Sequence, residues 1–415
     1  RFALLSALAV GLWAPLLVGL ATLFGEGFSL LFEDFRRRAL PALALALALY
    51  LLVRLALQLS TWRGRRLALS RWRRLTRWEF WPMWAFYPPV VLYVIWLALR
   101  HRSVTLLTCV NPGIPGGGVA GESKAAILAG LARGSDRVAP FRLLRAHELN
   151  GDGERNVAAA MAALETSWPV VLKPDVGERG SGVAIVRSPE MLRRYLAGAR
   201  GDVIVQRYMP GVEAGIFYYR LPGEARGHVF AITEKRLPAV VGDGRRTLEE
   251  LILADDRAVC HAALFLRRHE ARLQFVPARG EPVMLVELGT HSRGATFFDG
   301  AWLQSPALEA AVDRVSAGYP GFFFGRYDVR APSWHALRQG EFTVIELNGA
   351  TAEATSIYDP ANGLLAAWRT LMRQWAILFE IAARNRRHGA EPTTIRELLG
   401  MLAHHRDAVA GHARP

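Results

Sequence analysis

Apolar and polar positions divide this 415-residue chain into two regimes. In the first, apolar residues come in long runs. Residues 2–24 carry no charged side chain, and about 23 residues at 1.5 Å each suffice to cross a hydrocarbon core of roughly 30 Å. A secretory signal peptide is the rival reading, but the run is long for one and no clear processing site follows it. A second run, Ala39 to Ser60, is interrupted only by Arg54 and Gln58 near its end, where long side chains reach the interface. A third, Trp84 to Leu99, is shorter and carries Pro88 and Pro89 near its start. Between the second and third lie Arg63, Arg65, Arg66, Arg71, Arg73, Arg74 and Arg77 among tryptophans, the composition of a cytoplasmic membrane-surface segment. If the third run crossed, that loop and the bulk of the chain would lie on opposite sides, against the positive-inside rule. Residues 1–102 are therefore expected to form a membrane region of two transmembrane helices plus an interfacial or re-entrant third segment.

From Val104 the rhythm shortens to that of a globular domain. VTLLTCV, residues 104–110, reads as a buried strand, and the following glycine-rich loop runs into a helix carrying Lys124. Residues 170–186 read as strand, glycine turn, strand, and residues 203–220 as strand, connector, strand. A Gly-Asp-Gly turn precedes a helix opened by Thr247 with Glu250 three residues on, the capping-box spacing. Segments 362–387 and 393–406 read as terminal helices, the second within a tail of residues 389–415. Between these, residues 322–353 alternate with period two. Tyr327 and Val329 fall on one face of a strand, and Arg326, Asp328 and Arg330 on the other. In the next strand Ile345 and Leu347 point one way, and Val344, Glu346 and Asn348 the other. Paired as an antiparallel hairpin, one face gathers two carboxylates, an amide and arginines. Such oxygens suit a hard cation such as Mg²⁺, and arginines suit developing negative charge. A solvated face of paired charges is the alternative that the hairpin alone does not exclude.

Charge sharpens the division. Of the net +14, +10 lies in residues 1–102, where 14 arginines face only Glu26, Glu33, Asp34 and Glu79. These arginines sit between apolar runs instead of lining a groove, so no nucleic-acid partner is expected. Cys109 and Cys260 are too few and too far apart for a disulfide framework or a thiolate zinc site. Among 51 basic residues only Lys124, Lys173 and Lys235 are lysines, positions where a compact ammonium is preferred to a planar fork. Chance survival is the plain alternative.

Lys173 ends an apolar strand and is followed by Gly177, Gly180, Ser181 and Gly182, a turn that lets backbone amides approach phosphate oxygens. The order of motifs over about residues 118–360, closing with GRYDVR and then ELN, resembles the ATP-grasp superfamily and its carboxylate-amine ligases, the D-alanine-D-alanine ligase and cyanophycin synthetase relatives. The resemblance implies an α+β fold over residues 103–388, two α+β subdomains gripping ATP, after the helical membrane region. It implies that Lys124 and Lys173 contact the nucleotide, that Gly180, Ser181 and Gly182 close over its phosphates, and that Gln206 stands at a hinge position usually held by glutamate. Tyr208 then lies beside adenine, Glu213 holds the ribose, and Lys235 falls near a basic substrate or phosphate position. Asp328, Glu346 and Asn348 correspond to the residues that hold Mg²⁺ or Mn²⁺. Arg326 and Arg293 correspond to an oxyanion-stabilising pair, and His291, Thr351 and Glu353 fall at the substrate end. The implied activity is ATP-dependent joining of a carboxylate to an amine or similar nucleophile through an acyl phosphate, at the cytoplasmic membrane face.

Two departures stand out. The stretch after ELN lacks the proline- or serine-containing substrate loop of the ligases, which leaves the substrate open. Only about twenty residues separate Arg102 from Lys124, where the ligases have an α/β domain, and this points to a membrane-associated, lipid-linked substrate. A nucleotide-binding scaffold without turnover is the reading of a different class, favoured by Gln206 and by the missing domain.

Overall fold

The computed structural model describes residues 13–16, 18–19, 22, 37, 39 and 41–412, except 178–179, 288 and 290–293. Its contacts define two compact units, Arg1–Leu69 and Ser70–Pro415. In the first, one helix among the described residues is long and apolar enough to cross a membrane, Pro41–Ser60. Most of the expected span at residues 2–24 lies outside the described residues.

The second unit is an α+β body with strands β1 (Phe141–Leu144), β2 (Val170–Pro174), β3 (Ala184–Val186), β4 (Val203–Arg207), β5 (Val212–Tyr219), β6 (His228–Arg236), β7 (Ala239–Val241), β8 (Pro282–Met284), β9 (Thr296–Asp299), β10 (Phe324–Ala331) and β11 (Thr343–Asn348). They form a four-stranded sheet in the order β1-β4-β2-β3, a five-stranded sheet in the order β11-β10-β5-β6-β9, and the pair β7-β8. Neighbours in both larger sheets run antiparallel.

Period-two alternation sets the sidedness of each sheet. In the smaller, Val170, Leu172, Val203 and Val205 pack against Val157 and Ala160 of the helix Gly153–Ala163 and Leu192 of the helix Pro189–Gly198. The intervening Val171, Lys173, Ile204 and Gln206 are thereby turned to the opposite face. In the larger sheet, Ile216, Ile232, Tyr327, Val329, Val344 and Leu347 meet the helices Lys124–Ala132 and Pro306–Ala317. Its second face is divided along its length. Phe217 and Phe324 lie under Leu378 and Phe379 of the helix Leu364–Arg387, whereas the other end carries charges.

Two local expectations are corrected. Residues 105–110 are largely buried but not a strand, because Leu106–Cys109 form a 3-10 turn, and Val104 is exposed. A short apolar run reports burial and does not distinguish the two. In β11, Val344 faces the core and Ile345 the opposite side, the reverse of simple alternation. Asp328 pairs with Glu346 but Val329 with Val344, so Ile345 is the extra residue of a β-bulge, and such an insertion switches the faces on either side of it.

The third apolar run forms the helices Met83–Phe86 and Pro88–Arg100. Phe86, Val90 and Leu97 are buried, and Trp368 Nε1 donates to the Phe86 carbonyl at 2.9 Å. Val91, Leu92, Ile95 and Leu99 remain exposed.

Candidate active site

The site is assembled from the second faces of the two sheets. Lys124 opens its helix, capped by Ser123, whose Oγ accepts the Ala126 N–H at 3.0 Å and donates to Asp175 Oδ1 at 3.0 Å. The same Asp175 oxygen accepts the Ala125 N–H at 2.8 Å. Asp175 lies just beyond β2, so these bonds fasten the helix start to the strand that carries Lys173. The two lysines are thus brought to one place from opposite sides of about fifty residues of chain.

Each buried charge has a named counter-group. Lys124 Nζ donates to the Gly177 carbonyl at 2.7 Å and stands 3.1 Å from Glu346 Oε1. Burial opposes its charge, but Glu346, with Glu122 and Asp175, outweighs burial and raises its pKa. Lys173 Nζ donates to Gln206 Oε1 at 3.0 Å and to the Ile345 carbonyl at 2.9 Å, while Gln206 Nε2 donates to that carbonyl at 3.3 Å. Neither oxygen carries a full charge, so burial prevails and the Lys173 pKa falls to about 8. The bulge at Ile345 therefore supplies the carbonyl that links the two sheets.

Across the larger sheet the register runs Arg330, Glu213, Lys235 and, one row on, Asp328, Gly215, Thr233. Lys235 bridges Glu213 Oε1 at 3.0 Å and Asp328 Oδ1 at 3.1 Å. Arg326 Nε stands 3.1 Å from Asp328 Oδ1, and Arg330 Nη2 2.6 Å from Glu213 Oε2. Gly215 is glycine for space: a Cβ there would sit 3.3 Å from Arg326 Cδ and 3.5 Å from Asp328 Oδ1. Burial alone would push the Asp328 and Glu346 carboxyls up. Arg326 and Lys235 for the first, Lys124 and Lys173 for the second, hold both below the usual carboxylate range.

Asn348 pairs with Arg326 across the hairpin, and its Nδ2 is buried with no partner among the described residues. The two ends of a side-chain amide are interchangeable in shape, so an orphaned amide beside two carboxylates fits the oxygen set of a hard cation. Among the described residues no three His, Cys, Asp or Glu side chains form a metal-holding group. A site of this kind would leave much of the coordination to phosphate oxygens and water.

The two sheets face each other across a solvent-open cleft with a volume of about 120 Å³. Lys124, Lys173, Lys235, Gly180, Ser181, Gln206, Tyr208, Glu213, Asp328 and Glu346 all line it, with Val171, Ile185 and Met209 as apolar wall. Gly180 and Gly182 have φ of 72° and 68°, a conformation that favours glycine. Arg326 and Asn348 adjoin the cleft through Asp328. Arg293 and His291 lie outside the described residues. Asp175 and the Ile345 carbonyl were not foreseen. Asp175 had a signal, as the acid two residues after Lys173; the carbonyl had none.

No protein-family model and no curated protein sequence matches this chain. Solved structures similar to it include a D-alanine–D-alanine ligase from Bacillus anthracis, 17% identical over 64% of this chain and 69% of that chain, with a TM-score of 0.37. A bifunctional glutathione synthetase from Pasteurella multocida is 18% identical over 61% of this chain, with a TM-score of 0.34, and the match spans only 35% of that protein. A D-Ala:D-Ser ligase from Enterococcus faecalis is 11% identical over 61% of each chain, with a TM-score of 0.34.

Proposed function

We propose that this chain is an ATP-dependent carboxylate-amine ligase of the ATP-grasp type, working at the cytoplasmic face of a membrane on a lipid-linked substrate. One observation carries the catalytic reading. Asp328 and Glu346, in register on one hairpin, meet Lys124 and Lys173 in one cleft under a glycine turn.

The nucleotide is read into that cleft with adenine against Val171, Ile185, Met209 and Tyr208, beside Gln206. Its ribose is assigned to Glu213, and its phosphates to Lys124, Lys173 and the turn at Gly180, Ser181 and Gly182. Asp328, Glu346 and Asn348 are the residues that would hold Mg²⁺, which neutralises phosphate oxygens during phosphoryl transfer. Binding requires exchange of partners: Lys124 leaves Glu346 for phosphate, while Lys235 stays between Asp328 and Glu213. A substrate carboxylate attacks the γ-phosphate and becomes an acyl phosphate, releasing ADP. An amine then attacks the acyl carbon, phosphate departs, and the nitrogen gives up its proton. Arg326, fixed between Asp328 and the Glu353 carbonyl, is placed to hold the oxyanion of this second step.

The membrane reading rests on the Pro41–Ser60 helix and on the arginine-rich helix Trp62–Thr76, whose first turn holds no acid. The test is ADP release by the full chain, with and without candidate acids and amines, in wild type and Glu346→Gln. Release that needs both substrates and is lost in the variant supports the ligase. Nucleotide binding without turnover under any substrate pair would leave a scaffold instead.

A further inference from the structure

The helix Pro88–Arg100 is apolar on both of its sides. One side is taken up by the body: Val90 joins the core of Ala367 and Leu371, and Leu97 that of Leu378, all three from the helix Leu364–Arg387. On the other side Val91, Leu92, Ile95, Trp96 and Leu99 recur at helical spacing and are exposed, Leu92 at 68%, with Trp84 just ahead of them at 80%. A helix lying on a body surrounded by water carries polar residues there. A contiguous apolar face marks a surface that meets something else.

Charge says what that is. Residues 70–104 hold six arginines and a single acid, Glu79. Glu79 is buried and takes two bonds from Arg257, at 2.9 and 3.1 Å, while Arg73 is paired with Asp256 at 3.0 Å. Arg71, Arg74, Arg77, Arg100 and Arg102 are exposed on the segments flanking the apolar face, and Arg100 lies over the Trp96 ring at 5.3 Å. Guanidinium and indole beside exposed aliphatic side chains suit the water boundary of an anionic leaflet. A second copy of the chain would instead set this cationic flank against its own like charge. The helix does not cross, because its thirteen residues reach only about 20 Å of a hydrocarbon core of roughly 30 Å and its inner side is fastened to the body. We propose that its outer side lies in the interface of an anionic lipid leaflet, so that the body is seated on the membrane by its own surface. This assignment goes beyond the ligase reading and holds whether or not the cleft turns over nucleotide.

The test uses the full chain in nanodiscs of phosphatidylcholine with phosphatidylglycerol, or of phosphatidylcholine alone. A nitroxide is attached at Leu92→Cys, at Ile95→Cys and, for reference, at Val241→Cys, an apolar position of β7 that is 60% exposed. Wild type, whose Cys109 and Cys260 are buried, is the labelling blank. Power-saturation EPR reads access of each label to oxygen, which concentrates in lipid, and to a nickel chelate, which stays in water. On the mixed lipid, labels at 92 and 95 should favour oxygen over nickel at least about tenfold more than the label at 241. On phosphatidylcholine alone that preference should fall at least about fivefold, the factor that one arginine contributes near an anionic surface. Nickel access at 92 and 95 equal to that at 241 would show a face turned to water, and exclusion of both reagents a face covered by protein, whether a second copy or another segment of the chain. Either result overturns the proposal, as does an oxygen preference unchanged on neutral lipid. Both substitutions should keep the wild-type unfolding midpoint; a fall in both would mark these side chains as packed within the body and overturn it as well.

Discussion

The second face of the five-stranded sheet has two ends built on the same strands. At one, Phe217 of β5 and Phe324 of β10 are sealed by Leu378 and Phe379. At the other, four to six residues along, the same strands present Glu213, Asp328 and Arg330 to the cleft, with Arg326 beside Asp328. The first end is held by apolar area and close packing, at about 25 cal/mol per Å² buried. The second consists of charges that burial penalises and only mutual pairing tolerates. A sheet that spends one end on stability can keep the other as an unsettled set of ion pairs, available for exchange with a charged ligand.

That contrast can be broken at either end. The largest change is expected at the apolar one: Phe324→Ala should cost about 3–5 kcal/mol in denaturant unfolding, with nucleotide affinity of the folded fraction unchanged. Asp328→Ala strands Lys235 and Arg326 and should cost about 3 kcal/mol, this time with loss of nucleotide-dependent turnover; equal turnover would show that the charges only hold the fold. Arg326→Lys keeps the charge but loses the planar fork, and kcat should drop about 100-fold with the nucleotide KM little altered.

Lys173 gives the comparison a pH axis. Its folded pKa, near 8, lies below the ordinary lysine value of 10.5, so between those two values the unfolded chain binds the extra proton. Stability from this group therefore rises with pH across that window, and below about pH 8 the cost of burying the charge is felt in full. Nucleotide affinity should run the other way, weakening as pH climbs through about 8 and the ammonium is lost. Titrations of wild type and Lys173→Met from pH 6.5 to 9.5 would check this, since the variant should lack the inflection. The smallest effect is expected of Gly215→Ala, whose methyl meets side chains that can shift by tenths of an ångström. Its stability should stay within about 1 kcal/mol of wild type, with affinity reduced a few-fold.

Much of this site could be read without coordinates because it is built from local periodicity. Asp328 and Glu346 stand opposite one another because both strands alternate, and the three scarce lysines all line the cleft. Where alternation failed, at Val344 and Ile345, the cause was a bulge, which depends on the partner strand and leaves no mark in the bulged one. The helix cap that joins Asp175 to Ser123 and Ala125 spans about fifty residues, and the Tyr87 bond to Glu353 spans 266.

Composition and spacing alone thus establish a polar hairpin, a glycine turn after Lys173 and an arginine-rich stretch between apolar runs, since each depends on neighbours within a few residues. Which counter-charge holds each buried cation, and which side of the Pro88–Arg100 helix is covered, follow only from packing. Electrostatic and dispersion forces act over ångströms in space and take no account of distance along the chain.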